Sequence, residues 1–261
     1  MAYAKINSVT SANIAKVCGR AKANISKVTN TSGASLASEI VNNYSVIFDG
    51  ANDKLLMGNV TFDVGSYSVW IKTTITGGKI ILQKDAAWYL YLTGGKIRVQ
   101  HPMISGTLNS ATIINDGAWH HLLVTCEGGS GTASTVTLYI DGSSDLVKAG
   151  PGTPNTYTAS TIALSVAHSA VWGGYYLGGN LDEISFWTNV LTASEASTVY
   201  NSGVPIDLDV DGGGYTSSGT LQHWWRMGDG DTHPTIVDGE GGLNGTMTNM
   251  DAGDIVADVP S

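Results

Sequence analysis

DGAWHHLLVT (116–125) and TVTLYIDGS (135–143) decide how this chain folds. Both stretches alternate apolar and polar residues with a period of two, the mark of a strand with one face buried. On the second, Val136, Leu138 and Ile140 are expected to point inward, and Thr135, Thr137 and Tyr139 outward. A Gly/Ser-rich loop at 128–134 joins them.

Outward from this pair the same pattern recurs. YSVIF (44–48) ends at Asp49-Gly50, a turn signal. YSVWIKT (67–73), KIILQK (79–84), WYLYL (88–92) and KIRVQ (96–100) follow, with Gly77-Gly78 and Gly94-Gly95 as expected tight turns. TIALSV (161–166), YYLGG (175–179) and LDEISFW (181–187) are further expected strands, and PGTPNTYTAS (151–160) a surface loop. On YSVWIKT, Val69 and Ile71 face one way while Ser68 and Trp70 face the other. TASEASTVYNSG (192–203) is the one convincing helix, with Thr192 and Glu195 as a capping box and Gly203 as its stop. Many short strands with Gly-rich turns predict an all-β fold, a two-sheet antiparallel jelly-roll sandwich.

Composition agrees. The 261 residues include 33 Gly, 7 Trp and 11 Tyr but only 3 Phe, and 42% are apolar. Charged residues make up 13%, and 13 basic against 22 acidic side chains give a net charge of −9. That balance argues against a nucleic-acid or anionic-membrane partner. No apolar run reaches the roughly 18 residues of a membrane-spanning helix, and the start of the chain does not read as a signal peptide. Cys18 and Cys126 have no metal-site spacing and are read as free thiols.

Residues 4–36 hold an eleven-residue repeat: AKINSVTSANI (4–14), AKVCGRAKANI (15–25) and SKVTNTSGASL (26–36). Eleven residues are about three helical turns, so Ile6, Val17 and Val28 can share one helical face, although Ser, Thr, Asn and Gly19 disfavour a strong helix. The segment is too small for a core of its own. The expected organisation is an arm over 1–41, anchoring the chain to an assembly, and one domain over 42–261.

The strands themselves carry a resemblance. The central pair, the opening hairpin YSVIFDGANDKLLMG (44–58), FDVGSYSVWIKT (62–73) and the closing strand with its helix, GGNLDEISFWTNVLTASEASTVYNSG (178–203), resemble the laminin-G-like or concanavalin-A-like lectin domains. HWWRMGDGDTHPTIVDGEGGLNGTMTN (223–249) is similar to the segment that normally opens such a domain, yet here it comes last. The resemblance therefore implies a circularly permuted sandwich, with Leu221–Met227 and residues 245–247 lying beside the sheet edges near Tyr44–Phe48. A permuted domain behind a repetitive leader also resembles structural proteins of tailed bacteriophages. That resemblance implies an oligomeric virion protein, a capsid decoration or tail or fibre component. It would be assembled in the host cytoplasm, with other virion proteins and copies of itself as partners. The alternative is a carbohydrate-binding module or adhesin that recognises host-surface glycans.

Chemistry is sparse. Asp182 and Glu183 are adjacent on an expected strand, so they should face opposite ways and not form a catalytic pair. His120 and His121 are poor co-ligands for the same reason, and His101, His168, His223 and His233 lack zinc spacing. Neither a G-x-S-x-G elbow nor a nucleotide-binding glycine loop occurs. No catalytic and no cofactor-binding residue is assigned, and the chain is not expected to be an enzyme. No cofactor is required. Calcium is left open at DGANDK (49–54), GDGDTHPT (228–235) and VDGEGG (237–242), with no ligand named. Trp88, Tyr89, Tyr91, Trp172, Tyr175 and Tyr176 are the candidate sugar platforms, with WGGYY (172–176) the most exposed.

Overall fold

The computed structural model describes residues 16–17, 20–21, 37–38, 40–61, 64–104, 106–129, 132–150 and 161–261. Most of the eleven-residue repeat, Cys18 and the loop 151–160 lie outside these residues. Within the repeat, β1 (Lys16–Val17) pairs antiparallel with β2 (Arg20–Ala21), a strand pair where the period allowed a helix. Residues 1–36 and 37–261 form separate compact units.

The larger unit begins with β3 (Ser45–Asp49), β4 (Lys54–Leu56), β5 (Gly65–Lys72), β6 (Lys79–Gln83), β7 (Tyr89–Thr93) and β8 (Lys96–Gln100). Next come β9 (Thr107–Ile113), β10 (Trp119–Gly129), β11 (Thr132–Ile140), β12 (Ser143–Ala149), β13 (Ser165–Val166) and β14 (Gly178–Trp187). Helix α1 (Ala193–Tyr200) precedes β15 (Leu221–Trp225), β16 (Thr235–Ile236), β17 (Gly245–Thr248) and β18 (Ile255–Val256).

These strands build two antiparallel sheets. The first runs β12-β11-β10-β5-β14-β3-β18, with β15 also paired to β14. The second runs β16-β17-β4-β13-β6-β7-β8-β9. Between them lies a core that includes Val69, Ile71, Leu90, Leu92, Ile97, Val99, Val136, Leu138 and Ile140. Burial of this apolar surface, at about 25 cal/mol per Å², is the main term holding the sheets together. At one side the edges are latched: Asp145 accepts from the Ala111 and Thr112 amides, and Lys148 donates to the Thr107 carbonyl.

Several local expectations change. Gly94-Gly95, with φ of 61° and 74°, makes the two-residue hairpin between β7 and β8. Gly77-Gly78 does not make a hairpin, because β5 and β6 belong to different sheets. Only the two glycines of YYLGG join LDEISFW in one strand, β14, while Tyr175–Leu177 stay in the loop before it, and only the last two residues of TIALSV are paired. The half-exposed strands β9 and β12 have weak alternation and pass unnoticed in the sequence.

Trp70 and Ser68 do face away from the core, yet both are buried. Helix α1 and the chain from Ile206 to Trp224 cover that face of the first sheet, forming a second cluster with Leu123, Tyr139 and Trp187. Thr192 and Glu195 close the capping box as expected, but the helix stops at Asn201, which adopts the left-handed conformation. Of the two late segments expected beside Tyr44–Phe48, only Leu221–Trp225 lies on that side of the sheet, where β15 pairs with β14 as β3 also does. Residues 245–248 pair with β4 in the second sheet, and it is β18 that pairs with β3.

Candidate functional site

An aromatic groove of about 290 Å³ lies on the outer face of the second sheet, lined by Tyr89, Tyr91, Arg98, Trp172 and Tyr175. Strand alternation supplies half of it. On β7, Leu90 and Leu92 enter the core, so Tyr89 and Tyr91 must point out. On β8, Ile97 and Val99 point in and Arg98 points out, directly opposite Tyr91 in the register.

The other half comes from the loop between β13 and β14. Its base is closed by the Leu177 amide donating to the Ala167 carbonyl (2.8 Å), and the Ala167 amide ties it to Ile81. The Ile80 amide donates to the Tyr175 carbonyl (3.0 Å), fastening the far limb to β6. The turn itself is set by the Ser169 hydroxyl, which accepts from the Trp172 amide (2.8 Å). Trp172 and Tyr175 consequently stand 44% and 43% exposed, although both are large aromatics. Trp172 meets Tyr89 at a ring separation of 5.2 Å and Tyr175 at 5.9 Å, both edge to face. Tyr91 stands 6.1 Å from Tyr175 and 6.2 Å from Tyr89. The four rings thus support one another at separations where such pairs are attractive.

Arg98 is the one charged residue of the lining. Its Nε donates to Asn109 Oδ1 (2.9 Å), and its guanidinium lies 5.8 Å from the centre of the Tyr91 ring. Partial burial pushes the Tyr91 phenol up, with Tyr175 adding to the shift and Arg98 opposing it, so the phenol stays neutral at physiological pH. Neutral rings and a fixed cation suit binding. The lining holds no nucleophile–base pair and no two carboxylates flanking a bond.

Four of the six aromatic candidates from the sequence therefore converge. Trp88 instead enters the core, 4.8 Å from Tyr67, and Tyr176 stacks on His168 outside the groove. Arg98 was not singled out from the sequence. Its position between the inward Ile97 and Val99 is the signal that would have found it.

The acidic pair Asp182-Glu183 departs from expectation. A bulge between Asp182 and Ser185 places Glu183 at φ 47°, so strict alternation fails there. Both carboxylates are buried. Asp182 accepts from Asn42 Nδ2 (2.9 Å) and the Glu183 amide (2.8 Å), and Glu183 accepts from Trp224 Nε1 and Arg226 Nε. Burial and mutual repulsion raise Asp182. Burial also raises Glu183, against the pull of Arg226. With every one of these contacts internal, the pair is a structural brace rather than an acid–base couple.

His120 and His121 do face opposite ways. His120 bridges Asp141 (2.8 Å) and Asp116 (3.1 Å), while His121 is buried against Trp70 and Tyr200. In the loops where calcium was left open, the carboxylates serve the backbone. Asp49 accepts from the Ala51 and Asn52 amides, Asp231 from Gly228 and Val237, and Asp238 from Trp224 and Leu243. Among the described residues, no three His, Cys, Asp or Glu side chains are grouped to hold a metal. Cys126 is buried, which raises its thiol pKa.

The profile of the Laminin G 3 family, described as the concanavalin A-like lectin/glucanases superfamily, matches residues 49–197, more than half of the chain. No curated relative matches. Among solved structures, a candidate carbohydrate-binding protein from Bacteroides ovatus superposes with a TM-score of 0.61 at 14% identity, covering 85% of this chain. The chain spans 62% of that protein's length. A pentraxin from Limulus polyphemus matches with a TM-score of 0.47 at 16% identity, covering 61% of this chain and 82% of its own. Domain 4 of an arabinanase from Geobacillus stearothermophilus, solved with arabinotriose, matches with a TM-score of 0.44 at 17% identity, covering 67% and 93%. These comparisons overturn the virion reading, in function, partners and location alike. The family matched is a lectin and glucanase one, and the solved structure that superposes at 0.61 is a candidate carbohydrate-binding protein, not a virion structural protein. The virion reading rested on strand order behind a repeat, and neither feature recognises a ligand.

Proposed function

This chain belongs to the concanavalin A-like lectin/glucanases superfamily, and from that membership we propose that it is a non-enzymatic carbohydrate-binding module. The observation that carries the proposal is the ring of four supported aromatics, two of them held out into solvent by a hydrogen-bonded loop. Exposed large aromatics lose favourable burial, so a fold that fastens two of them there is using them. The apolar C–H faces of a sugar ring fit flat aromatic surfaces, and its hydroxyls can reach the tyrosine and arginine donors at the rim. We read the strand order as a circular permutation of the family's domain, which is supported by the pairings of β15 and β17. We also keep a leader distinct from the binding domain, but end it at residue 36 rather than 41, because Ala37 and Ile40 pack against the second cluster and the Val41 carbonyl accepts from Arg226.

The full chain on a broad glycan array should give saturable binding to a defined set of sugars. Trp172→Ala should weaken that binding at least about tenfold, the equivalent of about 1.4 kcal/mol. Its thermal unfolding should stay close to that of the native chain, because Trp172 lies outside both cores. An array without response, or a Trp172→Ala chain that binds as tightly as the native one, would overturn the proposal.

A further inference from the structure

Resting on the glycan reading, we propose that the groove selects sugars bearing a carboxylate, uronic or sialic acids, and that Arg98 reads the acid. The lining contains one formal charge, and it is positive. Arg98 rises from the middle of β8 and is positioned from two sides. Asn109 on the neighbouring strand holds Nε, and the Tyr91 ring lies beneath the guanidinium. Those contacts leave both terminal nitrogens without a hydrogen-bond partner among the described residues. A guanidinium held in this way presents a planar fork of N–H groups, which matches the two oxygens of a carboxylate. Much of the ordering cost of the side chain is met before any ligand arrives.

No Asp or Glu lines the groove to compete for that fork. The chain as a whole carries −9, and this distributed charge opposes an anion at long range. At physiological ionic strength such fields fade over about 8 Å, whereas the Arg98 fork would be in contact with its ligand. The local attraction therefore decides. A neutral sugar can use the same four rings and offer hydroxyl oxygens to the guanidinium, but each is a single uncharged acceptor, weaker than the paired oxygens of a carboxylate. Selection for the acid is expected to be about tenfold or more, the usual yield of a charge-assisted hydrogen bond.

The carboxylate has two chemical sources, the C-6 carboxylate of a uronic acid or the C-1 carboxylate of a sialic acid. Titration of the full chain with oligogalacturonate and its methyl ester, and with sialyllactose and lactose, distinguishes them. We expect one acid to bind about tenfold more tightly than its uncharged partner. Arg98→Gln should bring that ratio to about one, and Trp172→Ala should weaken acid and neutral ligands together. Uncharged partners that bind as tightly as the acids would overturn the inference and leave the glycan reading standing. So would an Arg98→Gln chain that keeps the preference, or an array whose binders are all neutral. An array with no glycan bound at all would remove the reading on which the inference rests.

Discussion

Gly78 lies directly against the phenol of Tyr91, so close that a β-carbon at position 78 would overlap both the Tyr91 hydroxyl and its ring carbon Cζ. Gly78 is not among the residues with positive φ, so the backbone would accept another residue there. This glycine is required by the close approach of a groove ring, not by a turn.

Gly78→Ala should therefore disturb binding more than stability. Tyr91 must swing away from Tyr175 and Arg98, opening the groove, and affinity for the bound sugar should fall severalfold. Alanine at a permissive position stabilises the backbone by about 0.4–1 kcal/mol, which offsets part of the steric cost. Parallel calorimetric titration and thermal unfolding check this. A chain that unfolds earlier yet binds normally would contradict it.

His121 makes the fold sensitive to acid. It is fully buried with both ring nitrogens unpartnered, and burial lowers its pKa from 6.5 to about 4. The unfolded chain takes up a proton below about 6.5 that the native imidazole refuses, so stability is lost as pH falls from about 6.5 to about 4. His101, lowered to about 4 by burial, adds to the loss. Asp182 and Glu183, both raised, act with the opposite sign over the same range. The comparison that isolates His121 is with His121→Phe. The native chain should lose about 2 kcal/mol more than the variant between pH 7 and pH 4.5. Parallel stability profiles would refute this.

Arg226 is the cation that lets Glu183 be ionised inside the protein. Arg226→Met removes the partner 3.2 Å from Glu183 Oε1 and leaves a buried carboxylate facing Trp224 and Asp229. Breaking a buried pair from one side costs about 3–5 kcal/mol. The carboxyl escapes part of that cost by taking up a proton, so its pKa rises further. The loss should be large at pH 8 and smaller at pH 5, as read from denaturant unfolding at both. An equal loss at the two pH values would show that Arg226 acts through its other contacts, the Val41 carbonyl, Asp229 and the Trp224 ring, and not through Glu183.

We propose that sugar binding needs no calcium. Asp229 accepts from the Asn43 and Tyr44 amides, and Asp49, Asp231 and Asp238 are likewise engaged with backbone donors. None of these carboxylates lines the aromatic groove. Addition of a chelator should leave both affinity and unfolding temperature unchanged. A drop in either that calcium restores would refute the proposal.

The strands that could be read ahead of the structure were those with one buried face. Val136, Leu138 and Ile140 sit in the core because alternation leaves them no other place. The edge strands β9 and β12 escaped notice because each sends little more than one large apolar side chain, Leu108 and Leu146, to the core, too few to make an alternating run. The bulge at Glu183 escaped for another reason. Its extra residue is defined by a mismatch with β5, more than a hundred positions earlier in the chain, and no local pattern encodes it.

The groove divides in the same way. Tyr89, Tyr91 and Arg98 share a face by strand period alone, and that much is written in WYLYL and KIRVQ. The sequence also singled out Trp172 and Tyr175 as aromatics in a Gly-rich stretch. Only the tertiary structure brought them over β7, through hydrogen bonds to Ile80 and Ile81 on a neighbouring strand. Likewise, alternation told Trp70 which way to face, but only the fold placed α1 and the chain beyond it over that face and buried it. Periodicity specifies direction relative to a sheet. What covers that sheet depends on contacts between residues distant in the chain, and those exist only once it has closed.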